Sequence, residues 1–287
     1  MLNRRTLLQQ AALLTALYPL RAVAAAGNKR FHIGACDWSL GKRADIGAFE
    51  IAKQIGLDGI MVDLGSVENN LPLRNANVQQ AYLEASKKTG IKISSIAIGE
   101  LNNVPYKSDE RTIEWVLDSI DVARNFGVTV VLLAFFNKND LRNDVQGKQV
   151  VIERLKDAAP KAEKNGIILG IESYLNAAEH LEIIDKVGSP NVKAYVDFRN
   201  TADAGYDVIK EVKQLGSNTI CELHMKENDF LLGEGTLNWQ QIHDTLYEMN
   251  YTGDGWMQIE GAMPKDASVV DAYKHNLQFL QTLFNKA

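Results

Sequence analysis

The sequence predicts an α/β protein, a single-domain (β/α)8 barrel, and three observations carry that expectation. Amphipathic stretches alternate with short apolar runs, a glycine stands at each passage from the first kind to the second, and the apolar runs are nearly continuous. The glycines are Gly56, Gly90, Gly127, Gly166, Gly188, Gly216 and Gly253, spaced 34, 37, 39, 22, 28 and 37 residues apart. A helix end that needs positive φ favours glycine, and a βα unit takes about 30 residues. Seven such boundaries plus an opening strand give eight strands, the count of a closed parallel barrel.

Taken in order, the first residues lie outside that pattern. Arg4-Arg5 precedes an apolar stretch from Leu7 to Leu20 and the small-residue run Ala22-Val23-Ala24-Ala25-Ala26. That combination reads as a twin-arginine signal peptide over 1–26, cut near Ala26, with the barrel domain over 27–287 and a periplasmic or secreted product. The apolar run is shorter than the ~20 residues that span a bilayer. Cleavage would leave 261 residues and, with Arg4, Arg5 and Arg21 gone, shift the formal net charge from −5 to −8. An acidic chain without a lysine- or arginine-rich stripe excludes nucleic acid and membrane surfaces as expected partners. A homo-oligomer is left open.

The strands are expected at 31–36, 59–63, 91–98, 129–135, 167–172, 193–197, 220–224 and 256–260. Unbroken apolar runs suit parallel strands covered on both faces. Helical spacing shows between the third and fourth strands, where Ile113, Val116, Leu117, Ile120, Ala123 and Phe126 share a face behind Asp109 and Glu110. An open doubly wound sheet would normally carry a glycine-rich phosphate turn after its first strand, and none is written here. Cys36 and Cys221 fall on strands one and seven, which are not neighbours, so both are expected as free buried thiols.

Barrel active sites sit at the C-terminal ends of the strands, so polar residues that close apolar runs are the informative ones. Glu172, Asp197, His224 and Glu260 do so on four consecutive strands, 6, 9, 8 and 7 residues after the preceding boundary glycine. Three carboxylates at one level repel one another unless a cation shares the site. Three oxygen donors with one imidazole suit Mn²⁺, Mg²⁺ or Co²⁺, with Zn²⁺ admissible. Lys226, two residues beyond His224 on the same side of its strand, is placed to neutralise an oxyanion. Trp38 and Asp63, ending strands one and two, are candidates for substrate contact. Glu234 reads as a loop residue between glycines, and His32, His180, His243 and His275 read as structural.

Gly170-Ile171-Glu172, Val196-Asp197-Phe198-Arg199-Asn200, His224-Met225-Lys226 and Gln258-Ile259-Glu260-Gly261 resemble the motif series of the xylose isomerase-like superfamily. The segment Leu232 to Trp239, with its Gly-Glu-Gly, and Tyr251-Thr252-Gly253 point to the sugar phosphate isomerase/epimerase branch. The resemblance covers nearly all of residues 31 to 285, except that Gly34-Ala35-Cys36-Asp37-Trp38 is not shared by the better-known epimerases. It implies Glu172, Asp197, His224 and Glu260 as metal ligands, with Glu172 and Glu260 also acting as acid and base. Epimerases of that kind carry a histidine three residues after the aspartate and an arginine six after the metal histidine. Asn200 and Phe230 stand there in this chain. Asn200 joins Trp38 and Asp63 as a candidate for substrate binding.

The expected function is a metal-dependent isomerase or epimerase of an unphosphorylated sugar or sugar derivative, by proton abstraction next to a carbonyl. A lyase or dehydratase eliminating from a keto-sugar or keto-glycoside needs the same first step. A non-catalytic sugar-binding barrel is the reading from another class, and the retention of both acids weighs against it. An apurinic endonuclease would need more histidine ligands and a basic face than five histidines and this charge provide.

Overall fold

Eight parallel strands close into a barrel in simple sequence order, in the computed structural model, which describes residues 31–285. The signal-peptide reading of 1–26 lies outside the described residues. The strands are β1 His32–Cys36, β2 Gly59–Asp63, β3 Lys92–Ile98, β4 Val130–Phe135, β5 Ile168–Ser173, β6 Val192–Asp197, β7 Ile220–Asn228 and β8 Trp256–Met263. Around them run helices α1 Ala48–Ile55, α2 Ala76–Thr89, α3 Arg111–Phe126, α4 Val145–Asn165, α5 Ala177–Val187, α6 Phe198–Asp203, α7 Val208–Leu215, α8 Trp239–Glu248 and α9 Val269–Phe284. β8 closes on β1 with His32 opposite Trp256 and Ala35 opposite Ile259.

The apolar residues divide into two bodies. Outward-facing strand residues such as Ile33, Ile60, Ile96, Leu133, Leu169 and Ile259 are fully buried against the helices. Inside the barrel, Cys36, Met61, Ala97, Leu132, Ala134, Tyr195 and Cys221 pack together. Both cysteines are free. The lower interior is polar and cross-linked: Gln258 Nε2 donates to Ser94 Oγ at 2.8 Å and to Glu222 Oε1 at 2.5 Å, and Ser95 Oγ donates to Glu222 Oε1 at 3.0 Å. No helix among the described residues is long and apolar enough to cross a membrane.

The first six strands agree with the sequence reading to within one residue at either end. β7 and β8 do not stop at His224 and Glu260. They continue to Asn228 and Met263, pairing Lys226 with Glu260 and Asn228 with Ala262 beyond the barrel rim. Six of the seven boundary glycines directly follow a helix at positive φ, from Gly56 at 93° to Gly216 at 77°. Gly253 does not: α8 ends at Glu248, Asn250 takes the left-handed conformation, and Gly253 lies where any Cβ would meet the Tyr251 hydroxyl at 2.2 Å. On α3 the fully buried face centres on Trp115, Val116, Ser119, Ile120 and Ala123, leaving Ile113, Leu117 and Phe126 half-buried.

Candidate active site

Glu172 near the end of β5, Asp197 at the end of β6, His224 in β7 and Glu260 in β8 converge at the C-terminal mouth. One donor atom from each lies within 4.8 Å of one from every other. Asp197 is opposite His224 in the sheet register, whereas Glu260 stands one pleat higher, opposite Lys226. His224 is fully buried, and its Nδ1 faces the acids: 3.0 Å to Glu172 Oε1, 3.6 Å to Glu260 Oε2 and 4.0 Å to Asp197 Oδ2. Its Nε2 lies 3.3 Å from Cys36 Sγ on the far side. The edges of Trp38 and Tyr195 hold the ring in place.

Charge crowding shows in the proton affinities. Burial, reinforced by Glu260 and Glu172 against the opposing pull of Lys226, pushes Asp197 up to about 7. Burial works against a charged His224, but the neighbouring carboxylates outweigh it and raise its affinity for a proton. Burial likewise opposes ionised Glu260, yet Lys226 and His224 bring it down to about 2. Lys226 Nζ sits 2.9 Å from Glu260 Oε2 and 3.5 Å from Asp197 Oδ2, and stays cationic despite its burial.

The donor set fits a divalent cation. Asp197 Oδ1 caps α6 by accepting from Asn200 N at 2.9 Å, while the buried Oδ2 accepts no hydrogen bond among the described residues. Only the looser ion-pair contacts with Lys226 Nζ at 3.5 Å and His224 Nδ1 at 4.0 Å reach that oxygen, and a cation among hard oxygen ligands is its natural closer partner. Asn200 is buried as well. Its Nδ2 donates to Glu172 Oε1 at 3.2 Å and its Oδ1 accepts from Lys226 Nζ at 3.3 Å, so it orients one acid and the lysine together.

A cavity of about 340 Å³ opens over these groups. Trp38, Asp63, Glu172, Asn200, Lys226 and Glu260 all line it, so the structure brings together every residue the sequence singled out for contact with substrate. Trp38 does more than offer a ring: its Nε1 donates to Glu260 Oε1 at 2.9 Å. Asp63 is 1 % exposed and caps no helix; its carboxylate accepts from Gly65 N and Gly99 N at 2.7 and 3.1 Å and pairs with Arg43 Nε at 3.2 Å. Gly99 is required there, since a Cβ would meet Asp63 Oδ2 at 2.5 Å.

Sequence reasoning missed Arg43, which reaches the same cavity and also pairs with Glu100 Oε2 at 3.7 Å. Its placement depends on Asp37, whose buried carboxylate accepts from Ala44 N and Asp63 N at 2.9 and 3.0 Å and so folds the loop back. Also missed were Phe136 and Tyr174 on the cavity wall and the buried Glu227, which accepts from Leu237 N and Trp239 Nε1, both at 3.1 Å. Tyr174, two residues past Glu172, was the one with a readable signal. Glu234 points outward, 3.9 Å from His275, and Phe230 is an exposed loop residue. His180 is held by Ser173 Oγ at 3.0 Å and His275 lies 3.3 Å from the carbonyl of Leu232. His32 packs at a tilt against Trp256 and His243 pairs with Asp244, outside the cavity like the other two.

Comparison with known proteins follows the same lines. The model of the xylose isomerase-like TIM barrel family matches residues 49–283. An Escherichia coli K12 protein assigned as an L-ribulose-5-phosphate 3-epimerase is 25 % identical over 227 residues, 71 % of this chain and 79 % of that one. A D-psicose 3-epimerase crystallised with D-fructose superposes with a TM-score of 0.74 at 15 % identity, covering 89 % of this chain and all of the other. A 3-keto-D-glucoside 4-epimerase from E. coli gives 0.73 at 16 % identity, covering 88 % and 99 %.

Proposed function

Because the chain belongs to the xylose isomerase-like TIM barrel family, we propose that it is a divalent-metal-dependent isomerase or epimerase of an unphosphorylated sugar or sugar derivative. The observation that carries this reading is the convergence of Glu172, Asp197, His224 and Glu260 under one cavity, with Lys226 against two of the acids. The names of the relatives support the epimerase part of it: one is assigned as an L-ribulose-5-phosphate 3-epimerase and another is a D-psicose 3-epimerase.

The four residues would hold Mn²⁺, Mg²⁺, Co²⁺ or Zn²⁺, which supplies Lewis-acid polarisation of a carbonyl and its neighbouring hydroxyl. Glu172 and Glu260, entering from β5 and β8, are the proton carriers: one takes the proton from the carbon beside the carbonyl and the other returns one to the opposite face. Lys226 donates toward the substrate oxygen on which negative charge develops. Asn200 keeps Glu172 turned inward, and Trp38 does the same for Glu260. The two cavity-lining cations, Arg43 and Lys226, are both engaged by carboxylates, which supports an unphosphorylated substrate over a sugar phosphate.

One observation favours a second outcome of the same first step. Asn200 occupies the place of an epimerase histidine, so the site departs from the ketose epimerases beside Glu172. Loss of a β-substituent from a keto-sugar or keto-glycoside then competes with epimerisation.

The test is turnover in D₂O followed by NMR. The carbon next to the carbonyl should gain deuterium whether the product is an epimer, an isomer or an elimination product. Glu172→Gln and Glu260→Gln should each bind sugar and lose catalysis by a factor on the order of 10² or more. Turnover without deuterium in the product would point to a hydride shift and overturn the proton-transfer mechanism.

We also propose twin-arginine export with cleavage near Ala26, supported by Arg4-Arg5 and the modest apolar run that follows. Replacing both arginines by lysine should leave uncleaved precursor in the cytoplasm, and normal export of that variant would refute the route.

A further inference from the structure

The cavity is chemically two-sided. Toward β5–β8 it is lined by Glu172, Asn200, Lys226 and Glu260, while toward β3–β5 its floor is Ala97, Leu132 and Ala134 and its wall is Phe136 and Tyr174, with Asn102 and Asn137 beside them. The two wall rings meet edge to face, centroids 4.8 Å apart and planes at 73°. Both are half-buried. Arg142 lies over Tyr174 with its guanidinium 4.5 Å from the ring centroid, and is itself fixed by Asp140 at 2.6 and 2.9 Å. Arg142 thus lies over Tyr174 while Phe136 and Tyr174 meet edge to face, which fixes the pair as a rigid wall rather than a loose rim.

A single pyranose occupies roughly 180 Å³, the space of about six liquid waters at ~30 Å³ each. The cavity holds about 340 Å³. A lone sugar ring held at the acids would therefore leave the aromatic half of the cavity wet. Rings with apolar faces stack on such surfaces, and the geometry here offers one at the far end from the reacting carbon.

We infer that the substrate is a glycoside: the ring that reacts lies at Glu172 and Glu260, and the second ring of the aglycone lies on Phe136 and Tyr174. This rests on the carbohydrate reading above and narrows it from a free monosaccharide to a two-ring ligand. The shared chemistry is a ring with an apolar face, which either a second sugar or an aromatic aglycone provides.

The test reads binding rather than turnover, so its result is independent of the proton-transfer mechanism. Saturation-transfer NMR and calorimetry would compare D-glucose, D-galactose, D-allose and D-xylose with their phenyl glycosides and with β-linked disaccharides carrying the same sugar at the non-reducing end. At least one glycoside should bind tenfold or more tightly than its matched free sugar, with the second ring receiving strong saturation. Tyr174→Ala and Phe136→Ala should each remove that advantage, leave the affinity for the free sugar unchanged, and keep the parent circular dichroism; Tyr174→Phe should preserve it. The phenyl and disaccharide arms decide which kind of second ring is used. The inference is overturned if free sugars bind as well as every glycoside, if no glycoside binds, or if the advantage survives both alanine variants. Tight glycoside binding without deuterium exchange would instead sink the proton-transfer reading and leave this one standing.

Discussion

Cys36 Sγ sits 3.3 Å from the Nε2 of His224, on the side away from the acids. A histidine that offers Nδ1 to a cation carries its proton on Nε2, and the group that accepts that proton fixes tautomer and ring orientation. Cys36→Ala should lower metal affinity by about 10–100-fold, the range for losing such a partner, while Cys36→Ser retains most of it; competition with a chelator measures both. His224→Ala should empty the site while leaving the barrel folded, as metal analysis and circular dichroism would show. A different carboxyl adds to the pH dependence. Asp254 lies beside Glu222 at the lower end of the barrel, and burial pushes it up to about 7. A carboxyl whose value is raised on folding contributes stability that is complete below its unfolded value of about 3.9 and is lost as pH rises through the folded one. Stability should fall between about pH 4 and pH 7, and Asp254→Asn, which keeps an acceptor for Trp256 N, should flatten that slope in urea titrations. Equal slopes would contradict it. At this scale the four donors and Lys226 were legible because each interrupts or follows an apolar run. Arg43, Asp63 and Glu100 were not legible as a network, because the end of β2 and the segments after β1 and β3 bring them together.

Helix ends show where local signals suffice. Gly166 has a φ of 66° with open space around its missing Cβ, so Gly166→Ala should cost only the left-handed backbone penalty, about 1 kcal/mol. Asn176 opens α5 with a reciprocal capping box: its side chain accepts from Glu179 N at 2.9 Å, and Glu179 Oε2 accepts from Asn176 N at 3.3 Å. Asn176→Ala should cost about 1 kcal/mol, read as a shift in the denaturation midpoint. Both signals are confined to a few consecutive residues, which is why the elements could be read in order. The upper halves of β7 and β8 were missed for the opposite reason. Lys226, Asn228 and Gly261 lie above the barrel, where the strands pair with each other but lack cover on both faces, so no continuous apolar run marks them. Gly253 misled in the same way: it serves a close approach to Tyr251, which depends on tertiary packing.

The whole barrel should respond to its ion. Donors from four successive strands are assembled in the folded chain, so a cation that binds there stabilises by about 2.7 kcal/mol at a hundredfold excess over Kd. At ~2–4 °C per kcal/mol for a domain of this size, Mn²⁺ should raise the melting temperature by about 5–10 °C over chelator-treated protein, and the His224→Ala variant should show no such rise. The same ring of strands is unequal around its circumference. β5–β8 carry the cation donors and the lysine, whereas the ends of β2–β4 carry Asp63, the apolar floor and Phe136. A reaction centre drawn from one arc of a closed barrel leaves the other arc free to drift. Libraries confined to the loops after β2, β3 and β4 can therefore change what the cavity accepts while sparing the reaction, and chimaeras joined within α4 should inherit chemistry from one parent and taste from the other. Trp38 is the exception that sets the boundary: it follows β1, outside both arcs, yet its bond to Glu260 ties it to the β5–β8 arc, and any exchange of loops has to carry it along.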